Sequence, residues 1–241
     1  MVGGVSRGWL LVLAAGLLAG CPYRGPNQSL QFEPVPVAGE PAAAAALAQT
    51  AEILRSRLAG VPGSEVTAGA GRLTVSFPAK TDPHWIEGVC TKPGRVEFIL
   101  LPANLEWVTE GTFRDRVSGK EVTTAQAVEL GEVVFDQSDL APRATAVRGV
   151  RGGVWDVRFE FESTRKRAFR DFTKTHILRH LAFVLDGEPV WVPEIRSAIP
   201  GVGVIDGGFT GPEASDLARV LNSGPLPVPL RVVEAGRPDR P

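Results

Sequence analysis

The chain has 241 residues, a formal net charge of −1 and a hydrophobic content of 44%. That length and composition suit one or two small globular domains, each with its own apolar core. The near-zero charge, without a basic stripe that carries interleaved aromatic residues, gives no support to a nucleic-acid-binding function.

Residues 1–20 predict a secretion signal. Arg7 is their only charged residue, and the apolar run from Trp9 to Leu18 follows it. This run is too short to span a membrane and fits the apolar part of a signal peptide. Leu18-Ala19-Gly20-Cys21 resembles the lipobox of bacterial lipoprotein signals. The resemblance implies cleavage before Cys21 and acylation of that residue, with an ordinary secretory signal and a chance cysteine as the alternative.

A lipidated Cys21 leaves Cys90 as the second of the two cysteines. We therefore predict no internal disulfide in the mature chain. Cys90 is expected to be a small buried residue, and pairing with a cysteine of a partner protein is the alternative.

Residues 21–41 are rich in proline, glycine and polar side chains, which predicts a flexible linker. Residues 42–101 predict a first α+β lobe. Its helix, over 42–59, has apolar residues at three- and four-residue steps, namely Leu47, Ala51, Leu54 and Leu58. Leu73, Val75 and Phe77 alternate with polar residues and predict a strand, and residues 95–101 predict another.

Residues 102–118 are interpreted as a connector, and 119–229 as a second α+β lobe. A short helix is expected over 123–130 and a strand over 132–135. The inward positions of the next strand alternate with charged residues and are Trp155, Val157, Phe159 and Phe161. Ser163 is expected to cap a helix that carries Ala168, Phe169 and Phe172 on one face.

Asp186-Gly187 predicts a type I′ hairpin between two short apolar runs. The glycine-rich stretch 199–208 is interpreted as a flexible turn, because Asp206 stands where a dinucleotide-binding fingerprint needs its third glycine. Thr210 and Glu213 predict a capping box for the last helix, and Gly224 predicts its left-handed C-cap. Residues 230–241 are expected to form a returning strand and a polar tail.

Three segments carry a family resemblance, namely FEFESTRKRAFRDFTK, LAFVLDGEPVWVPEI and FTGPEASDLARVLNSGPLPVPLRVVE. Together they resemble the large periplasmic domain of SecD, a membrane subunit of the bacterial protein-export machinery. The match runs from about Gly119 to Glu234, with a weaker one over 49–101. The resemblance implies a base lobe and a ferredoxin-like head lobe that bind or hold an emerging polypeptide. SecD-type subunits continue into transmembrane helices, which we do not find in this sequence, so we expect no proton-driven motor.

We weighed two sites for chemistry. His176 and His180 are four residues apart, a spacing that can hold a metal on a helix, but the helix is expected to end before His180. Cys90 with His84 could form a thiol nucleophile, but nothing marks a third, orienting group. We therefore predict no catalytic, cofactor-binding or metal-binding residues, no cofactor and no enzymatic activity.

Arg165, Lys166 and Arg167 crowd the first turn of the central helix. Cations at this end oppose the helix dipole, at a cost of about 0.3–1 kcal/mol each. They are either a solvated patch or a contact surface for anionic lipid headgroups or an acidic partner.

The sequence thus predicts an α+β fold in which small mixed or antiparallel sheets carry helices on one face. The protein is expected in the bacterial cell envelope, held by lipid with its domain on the periplasmic side. Our first functional hypothesis is a non-catalytic module for protein export or polypeptide handling, which an apolar groove between the lobes would favour. The second is a structural lipoprotein that docks to another envelope protein through a flat apolar patch.

Overall fold

The structure is a computed structural model that describes residues 27–36, 44–109, 111–150 and 152–236. These residues form two lobes, which we call the base lobe and the head lobe. The predicted signal peptide and the predicted lipidation site, Cys21, lie outside the described residues.

The base lobe is a four-stranded sheet that shares one core with two helices. Its elements are β1 (Asn27–Pro34), α1 (Ala44–Leu58), β2 (Glu65–Gly69), β3 (Arg72–Pro78), α2 (Pro83–Thr91) and β14 (Leu230–Gly236). The strands are antiparallel, in the order β14-β1-β3-β2. Leu54 of α1 and Leu73 and Val75 of β3 are fully buried. The helix and strand that the periodicity predicts are therefore confirmed.

Strand β1 corrects the prediction of a linker over residues 21–41. It pairs with β3 on one side and with β14 on the other. Leu30 and Phe32 alternate with polar residues and are buried in the base core. Two apolar positions among prolines and glycines are too weak a local signal, because the pairing partners come from distant parts of the chain. Residues 21–26 and 37–41 of the predicted linker lie outside the described residues.

The head lobe contains three small antiparallel sheets and three helices in the described part of the chain. Its elements are β4 (Val96–Leu100), β5 (Leu105–Thr109), β6 (Thr112–Asp115), β7 (Glu121–Thr123), α3 (Thr124–Glu129), β8 (Glu132–Asp136), β9 (Thr145–Arg148), β10 (Trp155–Glu160), α4 (Lys166–Thr175), β11 (Leu181–Leu185), β12 (Glu188–Trp191), β13 (Val202–Phe209) and α5 (Gly211–Ser223). The strand orders are β12-β11-β4-β8, β13-β10-β9 and β5-β6-β7. The predicted α+β class is confirmed.

Three assignments along the chain differ from the prediction. Strand β4, assigned to the first lobe, pairs with β11 and β8 of the head. The predicted connector 102–118 contains β5 and β6, and the predicted turn 199–208 contains most of β13. In each case the strand is defined by partners that lie far away in sequence or by a short irregular pattern, neither of which local periodicity reveals.

Helix α4 also differs in detail. Its N-cap is Arg165, whose side chain makes no capping hydrogen bond, so Ser163 is not the cap. The N–H groups of Arg165 and Lys166 instead donate to the backbone oxygen of Glu162, which forms a turn ahead of the helix. Ala168 is exposed, whereas Phe169 is buried as predicted.

The predicted hairpin and the last helix are confirmed. Asp186 and Gly187 have φ values of 55° and 86°, as a type I′ turn requires. Thr210 and Glu213 form the capping box of α5. Gly224 ends α5 with a φ of 80° and an extended ψ of 174°, so it has the positive φ but not the left-handed helical conformation that was predicted.

Candidate functional site: an apolar cavity in the head lobe

The core of the head lobe is organised around Phe98 of the central strand β4. Its ring centroid lies 5.5 Å from those of Phe159, Phe161 and Phe183. Phe169 of α4 stacks on Phe161 with the two centroids 4.0 Å apart. Phe159, Phe161 and Phe169, which the sequence predicts to point inward, therefore meet in one aromatic cluster.

Beside this cluster the head lobe has an open cavity of about 140 Å³. Most of its lining is apolar, and the lining residues are Phe98, Phe159, Phe169, Leu181, Phe183, Trp191, Pro193, Glu194, Ile195, Arg196, Ser197, Ile199, Gly203 and Val204. A Cβ atom on Gly203 would lie 2.4 Å from the ring of Phe159. Glycine at this position is therefore what allows the ring to lie against the backbone of β13 at the cavity wall.

Two edge strands border the cavity. In the described part of the chain, β12 and β13 each have one hydrogen-bonded neighbour strand. Trp191 lies at the end of β12, and Val204 of β13 is 41% exposed. The free edge of a strand offers N–H and C=O groups to an extended chain, and adjacent pockets take its side chains. The cavity therefore combines apolar volume with backbone hydrogen-bonding groups.

A buried threonine holds one wall of the cavity in place. The N–H of Ile199 donates to Oγ1 of Thr173 at 2.9 Å. The same hydroxyl donates to the backbone oxygen of Phe169 at 3.0 Å. Thr173 is fully buried, so these bonds are shielded from water and tie the loop before β13 to helix α4.

The lining suits apolar side chains and has few groups for chemistry. Glu194 and Arg196 are its charged residues, and their side chains lie 3.7 Å apart as an exposed ion pair. Within the described ranges, no group of three or more His, Cys, Asp or Glu side chains could hold a metal ion. Sequence reasoning missed this cavity because its lining comes from several separate elements, each of which looks like ordinary core.

A larger cleft of about 610 Å³ lies where the two lobes join, and its lining is mixed. Arg95, Glu97 and Asp136 contribute charge, and Leu140 and Leu226 contribute apolar surface. Of these two concave surfaces, the one inside the head lobe is therefore the more apolar, whereas an apolar groove between the lobes is what would have favoured the first sequence-based hypothesis.

The three cations of the predicted contact surface do not act alike. Arg165 donates to Asp139 and Lys166 donates to Glu160, so both are paired with carboxylates. Arg167 is 91% exposed, and its ion pair with Asp171 is a loose one at 3.6 Å. Arg170 and Lys174 are exposed on the same helix. The exposed positive charge thus lies further along α4 than the sequence suggested.

His176 and His180 pack against aromatic rings, and Cys90 lies in the core of the base lobe. Helix α4 ends at Thr175, and His176 stacks on Phe172 while His180 stacks on Trp107. Cys90 is fully buried, as predicted, and burial raises the pKa of its thiol to about 12. A neutral thiol at physiological pH is a poor nucleophile.

The two-lobed architecture matches solved structures of protein-export components. The chain superposes with a TM-score of 0.69 and 26% identity on the crystal structure of SecDF in a super-membrane-facing form, covering 87% of this chain and 30% of that one. It also superposes, with a TM-score of 0.65 and 25% identity, on a chain from a study of SecDF as a membrane component that enhances protein export. This superposition covers 86% of the present chain and 98% of the solved chain. The fold is thus that of a domain found in SecDF.

Sequence comparisons make the assignment more specific. Residues 113–228 match the family model of the SecDF P1 head subdomain. The chain is 35% identical over 198 residues to the protein translocase subunit SecD of Acetobacter pasteurianus, covering 78% of this chain and 37% of that protein. The chain is similar to SecD subunits, and these matches support its assignment as a SecD-type periplasmic domain. It spans little more than a third of the length of that SecD relative. None of its described helices is long and apolar enough to cross a membrane.

Proposed function

We propose that this protein is a non-catalytic accessory of protein export that holds apolar segments of unfolded polypeptide in the cavity of the head lobe. The apolar cavity between two edge strands carries the proposal. An extended segment there can place apolar side chains against Phe159 and Phe183 while its backbone bonds to the edge of β12 or β13. The similarity to a SecDF structure described as enhancing protein export supports this assignment. The similar proteins give no support to the alternative of a purely structural lipoprotein.

Cavity-filling substitution tests this proposal. Ile199→Trp should place an indole in the cavity and weaken binding of reduced, carboxymethylated α-lactalbumin about tenfold, which equals ~1.4 kcal/mol. Val232→Trp is the matched control, because Val232 is a partly buried residue packed against the base core, as Ile199 is against the head core. Binding is measured by fluorescence anisotropy of the labelled probe. Equal binding by both variants and the unchanged protein would reject the proposal.

A second part of the proposal is a lipid anchor at Cys21 that keeps the domain on the periplasmic side of the cell envelope. The short apolar segment and the lipobox-like sequence support it. Two or more acyl chains give a stable membrane anchor, because each buried CH₂ contributes about 0.8 kcal/mol. Mass spectrometry of the mature N-terminal peptide should find Cys21 as the first residue and carrying acyl groups. An unmodified Cys21 would remove this part of the proposal.

The third part concerns the basic surface of α4. Arg165, Lys166 and Arg167 were the predicted contact residues, and pairing of the first two with carboxylates leaves Arg167 as the most exposed of the three. Reversing all three charges should weaken binding of the full chain to vesicles that contain phosphatidylglycerol, with no change for purely zwitterionic vesicles. Unchanged binding to the anionic vesicles would show that these cations are only solvated.

A further inference from the structure

Arg57 is a fully buried arginine at the place where the two lobes join. It belongs to α1 of the base lobe and ranks among the largest side chains without exposed surface. Arginine carries five N–H donors in a fixed planar arrangement. A buried guanidinium normally has a carboxylate partner, but no described residue forms an ion pair with Arg57 within 4.0 Å, and its charge is held by oxygen dipoles instead.

Every donor of this guanidinium is used. Nη1 donates to the backbone oxygens of Val89 at 3.1 Å and Lys92 at 2.5 Å. Nη2 donates to the backbone oxygens of Pro93 and Gly224, both at 3.0 Å. Nε donates to Oγ of Ser223 at 3.1 Å. One side chain therefore binds five oxygen atoms from two separate parts of the chain.

These oxygens lie at the two crossings between the lobes. In the described chain, residues 92–95 lead from α2 of the base to β4 of the head, and 224–229 lead from α5 back to β14. We call them the outgoing and the returning connector. They lie side by side, because the N–H of Leu226 donates to the backbone oxygen of Pro93 at 2.8 Å. Arg57 is thus bonded to both connectors where they touch.

The local sequence accommodates this contact. Gly94 has a φ of +78°, and a Cβ atom there would lie 2.5 Å from Nη2 of Arg57. Glycine is therefore required both for the backbone conformation and for the close approach of the outgoing connector. Burial lowers the pKa of Arg57 to about 10 and raises that of neighbouring Cys90 to about 12, so the cation persists at neutral pH without a thiolate to neutralise it.

We infer that Arg57 is the residue that fixes the orientation of the head lobe on the base lobe. A change of that orientation must move the two connectors relative to α1 and to each other. Such a movement breaks hydrogen bonds from a buried cation, which is costly to leave unpaired. Helix α5 adds further contacts to the base, since Trp85 donates to Asp216 at 3.1 Å and Arg219 donates to the backbone oxygen of Arg57 at 2.9 Å. This inference does not depend on polypeptide binding in the cavity.

The distance between the lobes tests the inference in the full chain. Nitroxide labels on Thr67→Cys in the base and Lys120→Cys in the head report it by pulsed electron paramagnetic resonance, with Cys21→Ser present and Cys90 buried. The unchanged junction should give one narrow distance. Arg57→Lys keeps the charge but has too few donors to hold both connectors, so it should add a second distance. Gly94→Ala should do the same, because it displaces the guanidinium without removing it.

Arg55→Lys is the matched control. Arg55 lies on the same helix and also donates to a backbone oxygen, but that oxygen belongs to Val66 within the base lobe. The Arg55→Lys variant should keep the single narrow distance between the two labels. A narrow, unchanged distance in both Arg57→Lys and Gly94→Ala would overturn the inference, even if the melting temperature fell.

Hydrogen exchange of the unsubstituted chain gives a test that needs no variant of the junction. The amide of Leu226, bonded to Pro93, should exchange as slowly as the amides of Leu73, Val75 and Phe77, the buried core residues of strand β3. Exchange as fast as that of an exposed turn would mean that the connectors separate with Arg57 in place, and it would contradict the inference.

Discussion

The base and head lobes are both small α+β units, yet they fill their interiors differently. Among the buried core residues of the described base lobe, Phe32 and Phe77 are the aromatic ones, and leucine and valine fill most of the rest. The head core contains a connected set of rings, namely Phe98, Phe135, Phe159, Phe161, Phe169 and Phe183. Flexible aliphatic side chains can adapt to fill space, whereas rigid rings that meet edge to face keep fixed shapes. In the head lobe the aromatic core therefore also forms a wall of the cavity, whereas the aliphatic core of the base lobe fills the space between its sheet and helices.

The largest effect should come from removing one ring of that set. Phe161→Ala deletes a fully buried ring that stacks on Phe169, and it should lower the free energy of unfolding by about 3–5 kcal/mol. Phe77→Ala in the base lobe should have a similar cost, measured by urea denaturation. Only Phe161→Ala should also weaken binding of the unfolded probe. Equal loss of binding in both variants would remove the distinction between the two cores.

A smaller effect should separate two buried threonines. Thr173→Val leaves the N–H of Ile199 without its acceptor and should lower the free energy of unfolding by about 1–3 kcal/mol. Thr50→Val in the base should cost less, because Thr50 only donates to the backbone oxygen of Ala46 within its own helix. Chemical denaturation measures both, and Thr173→Ser should restore most of the loss. A cost for Thr50→Val as large as that for Thr173→Val would contradict this assignment.

Two helix caps test whether the lobes unfold together. Thr210→Ala removes the capping box of α5 in the head, and Asp82→Ala removes the cap of α2 in the base. Each should cost about 1 kcal/mol. If Arg57 joins the lobes into one cooperative unit, calorimetry should show a single transition that both substitutions lower. Two transitions, each lowered by one substitution, would show independent lobes.

The smallest effect is a pH dependence confined to the head. A hydrogen bond from Asn104, with others from Val117 and Ser118, lowers the pKa of Asp115 to about 2. Because this lies below the unfolded value of about 3.9, the carboxylate stabilises the β5-β6-β7 sheet at higher pH. That contribution should fade as the pH falls from about 4 towards 2. Fluorescence of Trp107, which pairs with Phe113 in this sheet, should change over this range and lose the dependence in Asp115→Asn. A persistent change in that variant would exclude Asp115 as the cause.

Local sequence patterns predict the elements whose signals are local. Helix α1, strand β3, the Asp186-Gly187 hairpin and the capping box of α5 all depend on residues within a few positions of one another. Strand β1 does not, because Leu30 and Phe32 become buried strand residues only when β1 pairs with β3 and β14, which are distant in sequence. Strand β4 joins the head for the same reason, since its neighbours are β8 and β11.

The candidate cavity was beyond sequence reasoning for a related reason. Two of its lining residues, Phe159 and Phe169, were predicted to point inward, and both are buried. A space between packed rings, however, depends on how distant elements approach one another. Arg57 was equally hidden, because an arginine on an amphipathic helix is normally solvated, and its acceptors lie at the ends of α2 and α5.

The central place of β1 in the base sheet has a mechanical consequence. Since β1 is flanked by β3 and β14, a pull on the chain ahead of Asn27 acts along both hydrogen-bonded ladders. Antiparallel ladders loaded lengthwise share the force among many bonds rather than opening one after another. A force applied ahead of Asn27 therefore loads the base sheet in shear, and this geometry resists unfolding under tension.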